Sequence, residues 1–200
     1  MALAGRSCDR GRVVDLRLVP PTSRLHASWL SAREEWGLGV HQDGASVWTA
    51  DRLALDLADP DGFRAWVEAL LVAGDPTQEL PDDLVPATNL WVVEDDRYLG
   101  AVQLRHQLNP FLAALGGHIG YGVRPGARRR GVASFALAQV LPRARRLGLS
   151  RVLLTCADHN QGSARTIERN GGVLEAVRQP DDYAFERGYD HPLRRYWITL

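Results

Sequence analysis

The chain contains no lysine, so all of its 24 cationic side chains are arginines, and they are matched by 24 acidic side chains. A formal net charge of zero argues against a global field that would draw the protein to nucleic acid or to an anionic membrane. No stretch approaches the roughly 18 apolar residues that a membrane span requires. The start, "MALAGRSCDRGR", lacks the apolar core of a signal peptide.

Cysteine is equally scarce, since only Cys8 and Cys156 occur, far apart and outside any CxxC pattern. This count argues against a disulfide framework and against a zinc site, and it is typical of a reducing cytoplasm. We therefore expect a cytoplasmic protein without a metal. The sequence also lacks repeats and linkers, and it predicts a disordered tail over residues 1–11 before a single domain over residues 12–200.

The elements that the residue patterns predict alternate between strands and helices, which is typical of a mixed α/β domain. In chain order they are a strand (12–19), two helices (22–36 and 59–73), a hairpin around Asp95–Asp96, a strand ending at Val123, a helix (to residue 147), a strand (151–156), a helix (161–170) and two closing strands. The segments 37–58, 75–87 and 178–191 are expected to be loops.

The stretch "GYGVRPGARRRGVASFAL", residues 120–137, carries the strongest chemical signal, because a strand runs through a Pro-Gly turn straight into a helix. The first turn of a helix has N–H groups without partners and the positive end of the dipole, which together suit an anion. Gly131 allows close approach to the backbone, and Ala133 keeps that approach clear. The three arginines before Gly131 add forked donors. A solvated charged corner is the simpler interpretation, but the strand–turn–glycine–helix context favours a phosphate cradle.

This stretch resembles the acyl-CoA signature of the GNAT N-acetyltransferase superfamily, in which Arg or Gln is followed by x-x-Gly-x-Gly/Ala. A second segment, "DHNQGSARTIERNGG", resembles the late family pattern N-x-x-(A/S) followed by E-K-x-G. The matching residues are Arg128, Gly131, Ala133, Asn160, Ser163, Glu168, Arg169 and Gly171. The resemblance extends over residues 12–200 and is closest to a bacterial group with a "GGHIGY-VRP" motif and an "RRYWI"-like final strand.

The resemblance implies a central twisted mixed sheet, flanked by helices and splayed between the strand ending at Val123 and the strand 151–156. Acetyl-CoA, the implied acyl donor, would enter this splay, with its pantetheine arm along the first strand and its pyrophosphate on the helix start. The implied cofactor-binding residues are Val123, Arg128, Arg129, Arg130, Gly131, Val132, Ala133, Ser134, Asn160 and Ser163. For Asn160, a helix N-cap is an alternative role compatible with this one.

Catalysis by such a protein needs a neutral amine, and a positioned base helps to remove its proton. His118, at the start of the key strand, and Glu35, near the end of the first helix, are the candidate bases. His106 and Glu34 are the alternatives, and an ordinary structural role competes with each assignment.

The departing thiolate takes a proton from a Tyr in many family members, but Ile167 occupies that place here. The acid is then one of Tyr121, Tyr183, Tyr189 and Tyr196, or it is not needed. Cys156 ends an apolar strand without an activating neighbour in sequence, so core packing is the preferred interpretation over a nucleophile.

The sequence therefore predicts an acetyl-CoA-dependent N-acetyltransferase that modifies a primary amine of a small molecule, peptide or protein by direct attack on the thioester. A catalytically silent acyl-CoA-binding or sensor domain is the alternative. Zero net charge and the lack of a second basic patch argue against a nucleic-acid contact by the arginines. By analogy with the family, a homodimer through the final strand is left open.

Overall fold

A computed structural model describes residues 4–9, 12–37, 39–75 and 77–200. The predicted α/β class is confirmed, and the strands from β2 onwards follow the predicted order. The strands are β1 (Ala4–Asp9), β2 (Arg12–Val19), β3 (Ala87–Glu94), β4 (Arg97–Arg105), β5 (Ile119–Val123), β6 (Arg151–Ala157), β7 (Val173–Arg178) and β8 (Leu193–Thr199).

Four of the six α-helices in the described chain begin at a side-chain cap or at a left-handed glycine. Before the third helix, for example, the Asp59 carboxylate accepts the N–H groups of Asp61 and Gly62, and Pro60 is the first helical residue. The α-helices are α1 (His26–Trp36), α2 (Trp48–Arg52), α3 (Pro60–Val72), α4 (Val132–Arg146), α5 (Gln161–Arg169) and α6 (Asp182–Phe185). Single turns of 3₁₀-helix at Ser23–Leu25 and Pro125–Ala127, and a π-helical turn at Leu112–Gly116, complete the fold.

The strands form two antiparallel sheets, one of five strands in the order β1-β2-β3-β4-β5 and one of three strands in the order β6-β8-β7. The two sheets meet where β5 begins, because the N–H of His118 donates to the carbonyl of Leu153 in β6 at 2.7 Å. Within the described chain, no strand ladder joins β5 to β6 beyond this point. The predicted splay between β5 and β6 therefore separates the strands into two sheets.

The larger sheet is packed on both faces, which explains why β3 and β4 are almost continuously buried. One face packs with α4, α5 and β6 around the fully buried Leu137 and Leu154. The other face packs with α1 and α3 through a cluster of aromatic rings that includes Trp29, Phe63 and Trp66. In the described chain, the edge of β5 that faces away from β4 has no strand partner, and it borders the gap between the two sheets.

The N-terminal segment differs from the predicted disordered tail. Ala4–Asp9 instead form β1, which pairs with β2 from Ala4 opposite Arg17 to Asp9 opposite Arg12. Backbone pairing with an edge strand needs no hydrophobic alternation, so the sequence carried no signal for it. The remaining residues of that predicted tail, 1–3, 10 and 11, lie outside the described residues. Two segments expected to be loops also contain the short helices α2 and α6.

Candidate active site

The stretch between β5 and α4 folds as the sequence predicted, into a strand, a tight turn and a helix start. Gly131 precedes α4 with a φ of 79°, and Arg129 also has a left-handed φ, of 59°. Such a conformation costs little for glycine but is uncommon for arginine. The buried side chains of Ala127 and Val132 anchor the two ends of this loop in the core.

The loop exposes a row of free backbone donors. Within the described part of the chain, none of the six N–H groups from Arg129 to Ser134 donates a hydrogen bond, and the first helical bond runs from Phe135 to Gly131 at 2.9 Å. Six consecutive amides at the positive end of a 15-residue helix are donors of the kind that suit an anion. Arg129, Arg130, Gly131, Val132, Ala133 and Ser134, six of the residues predicted to bind the cofactor, all lie in this row.

The arginine side chains contribute less than their number suggests, because two of the three already have protein partners. Arg128 donates to the carbonyl of Val123 at 3.1 Å, and its guanidinium lies 4.7 Å from the ring centre of Trp36. Arg130 forms an ion pair with Glu94 at 2.7 Å. The backbone, rather than the cationic side chains, is therefore the main feature that this loop offers to an anion.

The second predicted segment forms the start of α5, a helix that packs beside α4. Asn160 accepts the N–H of Ser163 at 3.0 Å, so the N-cap role considered from the sequence is present. The side chain of Ser134 in α4 accepts a hydrogen bond at 3.2 Å from Asn170, directly after α5. The loop before α4 and the first turn of α5 thus belong to neighbouring, hydrogen-bonded helices.

A tyrosine crosses from β5 to α5. The hydroxyl of Tyr121 lies 2.8 Å from the hydroxyl of Ser163 and donates to the carbonyl of the same residue at 3.2 Å. Burial raises the pKa of Tyr121, so it stays protonated at neutral pH. Ile167, one turn further along α5, is completely buried in the core. A phenol is therefore present at the start of α5 even though the helix itself does not supply it.

His118, the first candidate base, is used to join the two sheets. It is 6% exposed, and its Nδ1 accepts the N–H of Leu153 at 2.9 Å. Burial, helped by the charge of Arg105, lowers the pKa of His118 to about 4. The ring is thus neutral at neutral pH, and because Nδ1 is an acceptor, the proton resides on Nε2.

Glu35, the second candidate base, is used to hold the turn after β5. Its carboxylate accepts two hydrogen bonds from Arg124 and one from the N–H of Gly126 at 2.9 Å. Arg124 is 2% exposed and also donates to the carbonyl of Tyr98 and the hydroxyl of Ser31. The hydrogen bonds from Arg124 lower the pKa of Glu35.

The remaining candidates from the sequence lie apart from this loop or are chemically quiet. His106 shares a 2.8 Å hydrogen bond with Thr88, and burial lowers its pKa. Glu34 is exposed on α1. Cys156 is 8% exposed, and burial raises the pKa of its thiol to about 11, which agrees with the core-packing interpretation.

The face of β5 opposite to Tyr121 is covered by a loop segment, which the sequence analysis did not predict. Gly120 and Gly122 share that face, and a Cβ on Gly122 would lie 2.6 Å from the carbonyl oxygen of Asp43. A Cβ on Gly44 would lie 2.4 Å from the carbonyl oxygen of Gly120. The backbone of the Asp43–Gly44 segment therefore packs directly against the backbone of β5. The alternating "GYG" at the centre of β5 was the available signal, because glycines two apart in a strand indicate close approach on one face.

Arg105, at the end of β4, lies beside this face of β5. Its Nη1 donates to the carbonyls of Gly116 and Gly117 at 2.8 and 3.0 Å, and its Nε donates to the side chain of Gln103 at 3.1 Å. Burial lowers the pKa of Arg105, whereas electrostatic interactions with Tyr189 and Asp43 raise it. All the groups that accept hydrogen bonds from this guanidinium are neutral.

Across the described ranges, no three His, Cys, Asp or Glu side chains come together as metal ligands. No helix found there combines the length and the apolar character that crossing a membrane demands.

Comparison with known proteins connects these features to a family. A family model described as "Acetyltransferase (GNAT) domain" matches residues 41–173, which include β5, the amide row and the whole of the segment 158–172 that contains α5. A comparison with curated protein sequences gives no match.

Solved structures with the same fold include several acetyltransferases. RimL, a ribosomal L7/L12 alpha-N-protein acetyltransferase in complex with coenzyme A, has a TM-score of 0.64 at 16% identity, covering 92% of this chain and 94% of that one. RimJ of Mycobacterium smegmatis, with CoA-disulfide, has a TM-score of 0.66 at 16% identity, covering 98% and 87%. The microcin C7 self-immunity acetyltransferase MccE, with acetyl-CoA and AMP, has a TM-score of 0.60 at 14% identity, covering 92% of each chain.

Proposed function

Because the chain belongs to the acetyltransferase (GNAT) domain family, we propose that it transfers the acetyl group of acetyl-CoA to a primary amine by direct attack of the amine on the thioester. The observation that carries this proposal is the row of six free amides from Arg129 to Ser134. A diphosphate with its negative charges suits such a row better than any neutral ligand does. MccE and RimL, which share the fold, were solved with acetyl-CoA and coenzyme A.

In this proposal the pantetheine arm follows β5 on the side away from β4. Val123 pairs with Gly100 of β4, so the other edge of β5 faces the splay. Asn160 and Ser163 at the start of α5 complete the cofactor contacts from the opposite side. Arg128 positions the loop through Val123 and Trp36, whereas Arg129 and Arg130 contribute their amides.

The proposal gives Tyr121 the role of proton donor. When the amine nitrogen bonds to the acetyl carbon, the carbon–sulfur bond breaks and the thiolate takes the phenolic proton. The ammonium proton leaves to solvent, and the tyrosinate recovers a proton from solvent. His118 and Glu35 serve as positioning residues, because the first joins β5 to β6 and the second holds the turn that begins the cradle.

The proteins with this fold suggest which classes of amine to test as the acceptor. RimL acts on a ribosomal protein and MccE was solved with AMP, so N-terminal peptides and nucleotide-linked amines belong in an acceptor panel. We further propose a cytoplasmic bacterial protein of the "GGHIGY-VRP" group, with a single domain that includes β1 as well as the predicted residues 12–200. We expect no nucleic-acid partner, and a homodimer is open to test.

Replacing Gly131 tests whether the amide row from Arg129 to Ser134 binds the diphosphate of acetyl-CoA. In Gly131→Leu, a side chain at φ 79° would stand among the free amides, so we expect the Kd for acetyl-CoA to rise at least about tenfold, as measured by calorimetry. Gly148→Leu is the matched control, because Gly148 ends the same helix with φ 84° and a Cβ there meets nothing within 4 Å. Equal affinity in the two variants would contradict the cradle.

A thiol-release assay separates the enzyme from the silent binding domain. Acetyl-CoA is incubated with polyamines, aminoglycosides, amino acids and N-terminal peptides, and free CoA is measured. Turnover with any amine supports the enzyme, whereas tight binding without CoA release across the panel favours the sensor alternative.

A further inference from the structure

The proposed transfer still needs a group that takes the proton of the acceptor ammonium. His118 and Glu35 are occupied by their bonds to the second sheet and to the turn after β5. The face of β5 that contains Tyr121 packs on α4 and α5 in the core, so an acceptor has no approach from that side. A base therefore belongs on the opposite face, which the Asp43–Gly44 segment covers.

The Asp43–Gly44 segment is fixed against β5 by its backbone. A Cβ on Gly122 would lie 2.6 Å from the carbonyl oxygen of Asp43, so the two backbones are in direct contact. Along this segment, Gln42 and Gly44 are buried, whereas His41 and Asp43 are exposed. The segment thus holds two titratable side chains at the solvent side of the strand along which the pantetheine arm is proposed to run.

His41 and Asp43 form a pair within this segment. The Nε2 of His41 lies 3.3 Å from Oδ1 of Asp43, and the two side chains are 75% and 73% exposed. Because Nε2 faces a carboxylate, the proton of the neutral imidazole resides there, and Nδ1 keeps a lone pair. An acceptor that arrives from solvent therefore meets a basic nitrogen whose tautomer is set by its neighbour.

The charged groups around His41 place its pKa in the range that a base needs. The contact with Asp43 raises the pKa of His41, whereas burial and the charge of Arg105 on β4 lower it. Arg33 of α1 donates to the backbone of the same segment at 3.5 Å, and burial and the charge of Asp43 raise the pKa of Tyr189 before β8. An imidazole whose pKa moves upwards from about 6.5 approaches neutrality, where a general base is most effective.

We propose that Nδ1 of His41 accepts the proton of the acceptor ammonium and that Asp43 holds the imidazolium that results. The N–H bond of the ammonium breaks, its electron pair stays on the nitrogen, and this nitrogen bonds to the acetyl carbon. His41 then passes the proton to solvent, while Tyr121 protonates the departing sulfur from the other face of β5. This inference rests on the proposed function, because it supplies the base for the same transfer.

The test is the pH dependence of kcat/KM for an amine that releases CoA in the thiol-release assay. With His41 as the base, kcat/KM rises up to the pKa of His41, above about 6.5, and then stays level until the amine itself loses its proton. His41→Asn depends on amine that is already neutral, so we expect kcat/KM to be at least about 100-fold lower at pH 7 and to keep rising towards the pKa of the amine. An unchanged profile in His41→Asn would overturn the proposal.

Two further measurements distinguish a base from a structural role. Asp43→Asn should move the rise in kcat/KM to lower pH, because it removes the group that raises the pKa of His41. Hydroxylamine is neutral at pH 7 and needs no base, so it should release CoA equally fast with the wild type and with His41→Asn. A loss of the same size with hydroxylamine would show that His41 acts structurally, and it would overturn the proposal.

His191→Asn is the matched control. It removes the histidine of a second pair, in which Nδ1 of His191 lies 2.9 Å from Oδ1 of Asp190, and it should keep the wild-type profile. The two hypotheses also fail in different ways. If the wild type releases no CoA with any amine, hydroxylamine included, the proposed function is wrong and the role of His41 falls with it. If the wild type turns over and His41→Asn keeps its profile, the transferase stands and the base is wrong.

Discussion

At the scale of single residues, the hydroxyl of Tyr121 is the group to which we assign the role of proton donor. Ile167 fills the usual tyrosine place with a buried aliphatic side chain, whereas Tyr121 reaches the same helix from β5. Of the other tyrosines considered, Tyr196 donates to Glu168 at 2.9 Å, and Tyr183 lies in α6. The bond to Ser163 therefore distinguishes Tyr121 from the alternatives.

Tyr121→Phe removes this hydroxyl while it preserves the ring. We expect kcat to fall about 100-fold, the lower end of what a positioned general acid contributes, with an unchanged Kd for acetyl-CoA. Steady-state thiol release and calorimetry measure the two quantities. Tyr183→Phe is the control, and an unaltered kcat in Tyr121→Phe would remove this tyrosine from the mechanism.

At the scale of elements, the ion pair between Glu35 and Arg124 attaches α1 to the end of β5. The Glu35 carboxylate also accepts the N–H of Gly126, so one side chain holds both the strand end and the turn that leads to the cradle. Because the pKa of Glu35 is lowered in the folded state, its contribution to stability is present above the unfolded value of about 4.3. That contribution is lost as the pH falls through the lower, folded value.

Glu35→Ala leaves the buried Arg124 without a carboxylate. We expect the free energy of unfolding to fall by about 3 kcal/mol at pH 7, which lowers Tm by roughly 6–12 °C in a chain of this size. Calorimetric melting measures this change. The neighbouring Glu34→Ala should change Tm by little, and equal effects of the two variants would show that the ion pair does not attach α1 to β5.

At the scale of the whole molecule, His118 is the residue that joins the two sheets. Its backbone N–H and its ring both bond to Leu153, and the splay opens beyond this point. The pKa of His118 is lowered, so the unfolded chain takes up the proton first as the pH falls. Stability is therefore complete above about pH 6.5 and declines towards the folded pKa of about 4.

His118→Asn keeps an acceptor near the position of Nδ1 but cannot take up the proton. We expect wild-type stability to fall between pH 6.5 and 4 with a slope of up to roughly 1.4 kcal/mol per pH unit from this histidine, and the variant to lose that part of the slope. Urea unfolding across the pH range measures it. The exposed His159→Asn should retain the wild-type slope, and parallel curves for all three proteins would contradict the assignment.

The structure of the loop before α4, which contains the amide row, was predictable from the sequence, whereas the roles of the titratable side chains were not. Pro125, Gly131 and the apolar stripe of α4 act on their immediate neighbours, so the loop and the helix start could be read directly. Glu35 looked like a surface glutamate of a helix, because nothing near it in sequence shows that Arg124 is its partner. The strand β1 was missed for a similar reason, since its pairing depends only on the backbone edge of β2.

The sequence by itself determined the order of the strands from β2 onwards, of the longer helices and of the amide row before α4, because these depend on conformations set within a few residues. Only the tertiary structure decided which side chains meet: Glu35 and Arg124 are separated by 89 residues, and Tyr121 and Ser163 by 42. These contacts arise from how two sheets splay and which loop crosses β5, and a single sequence does not encode such long-range pairs in any local pattern.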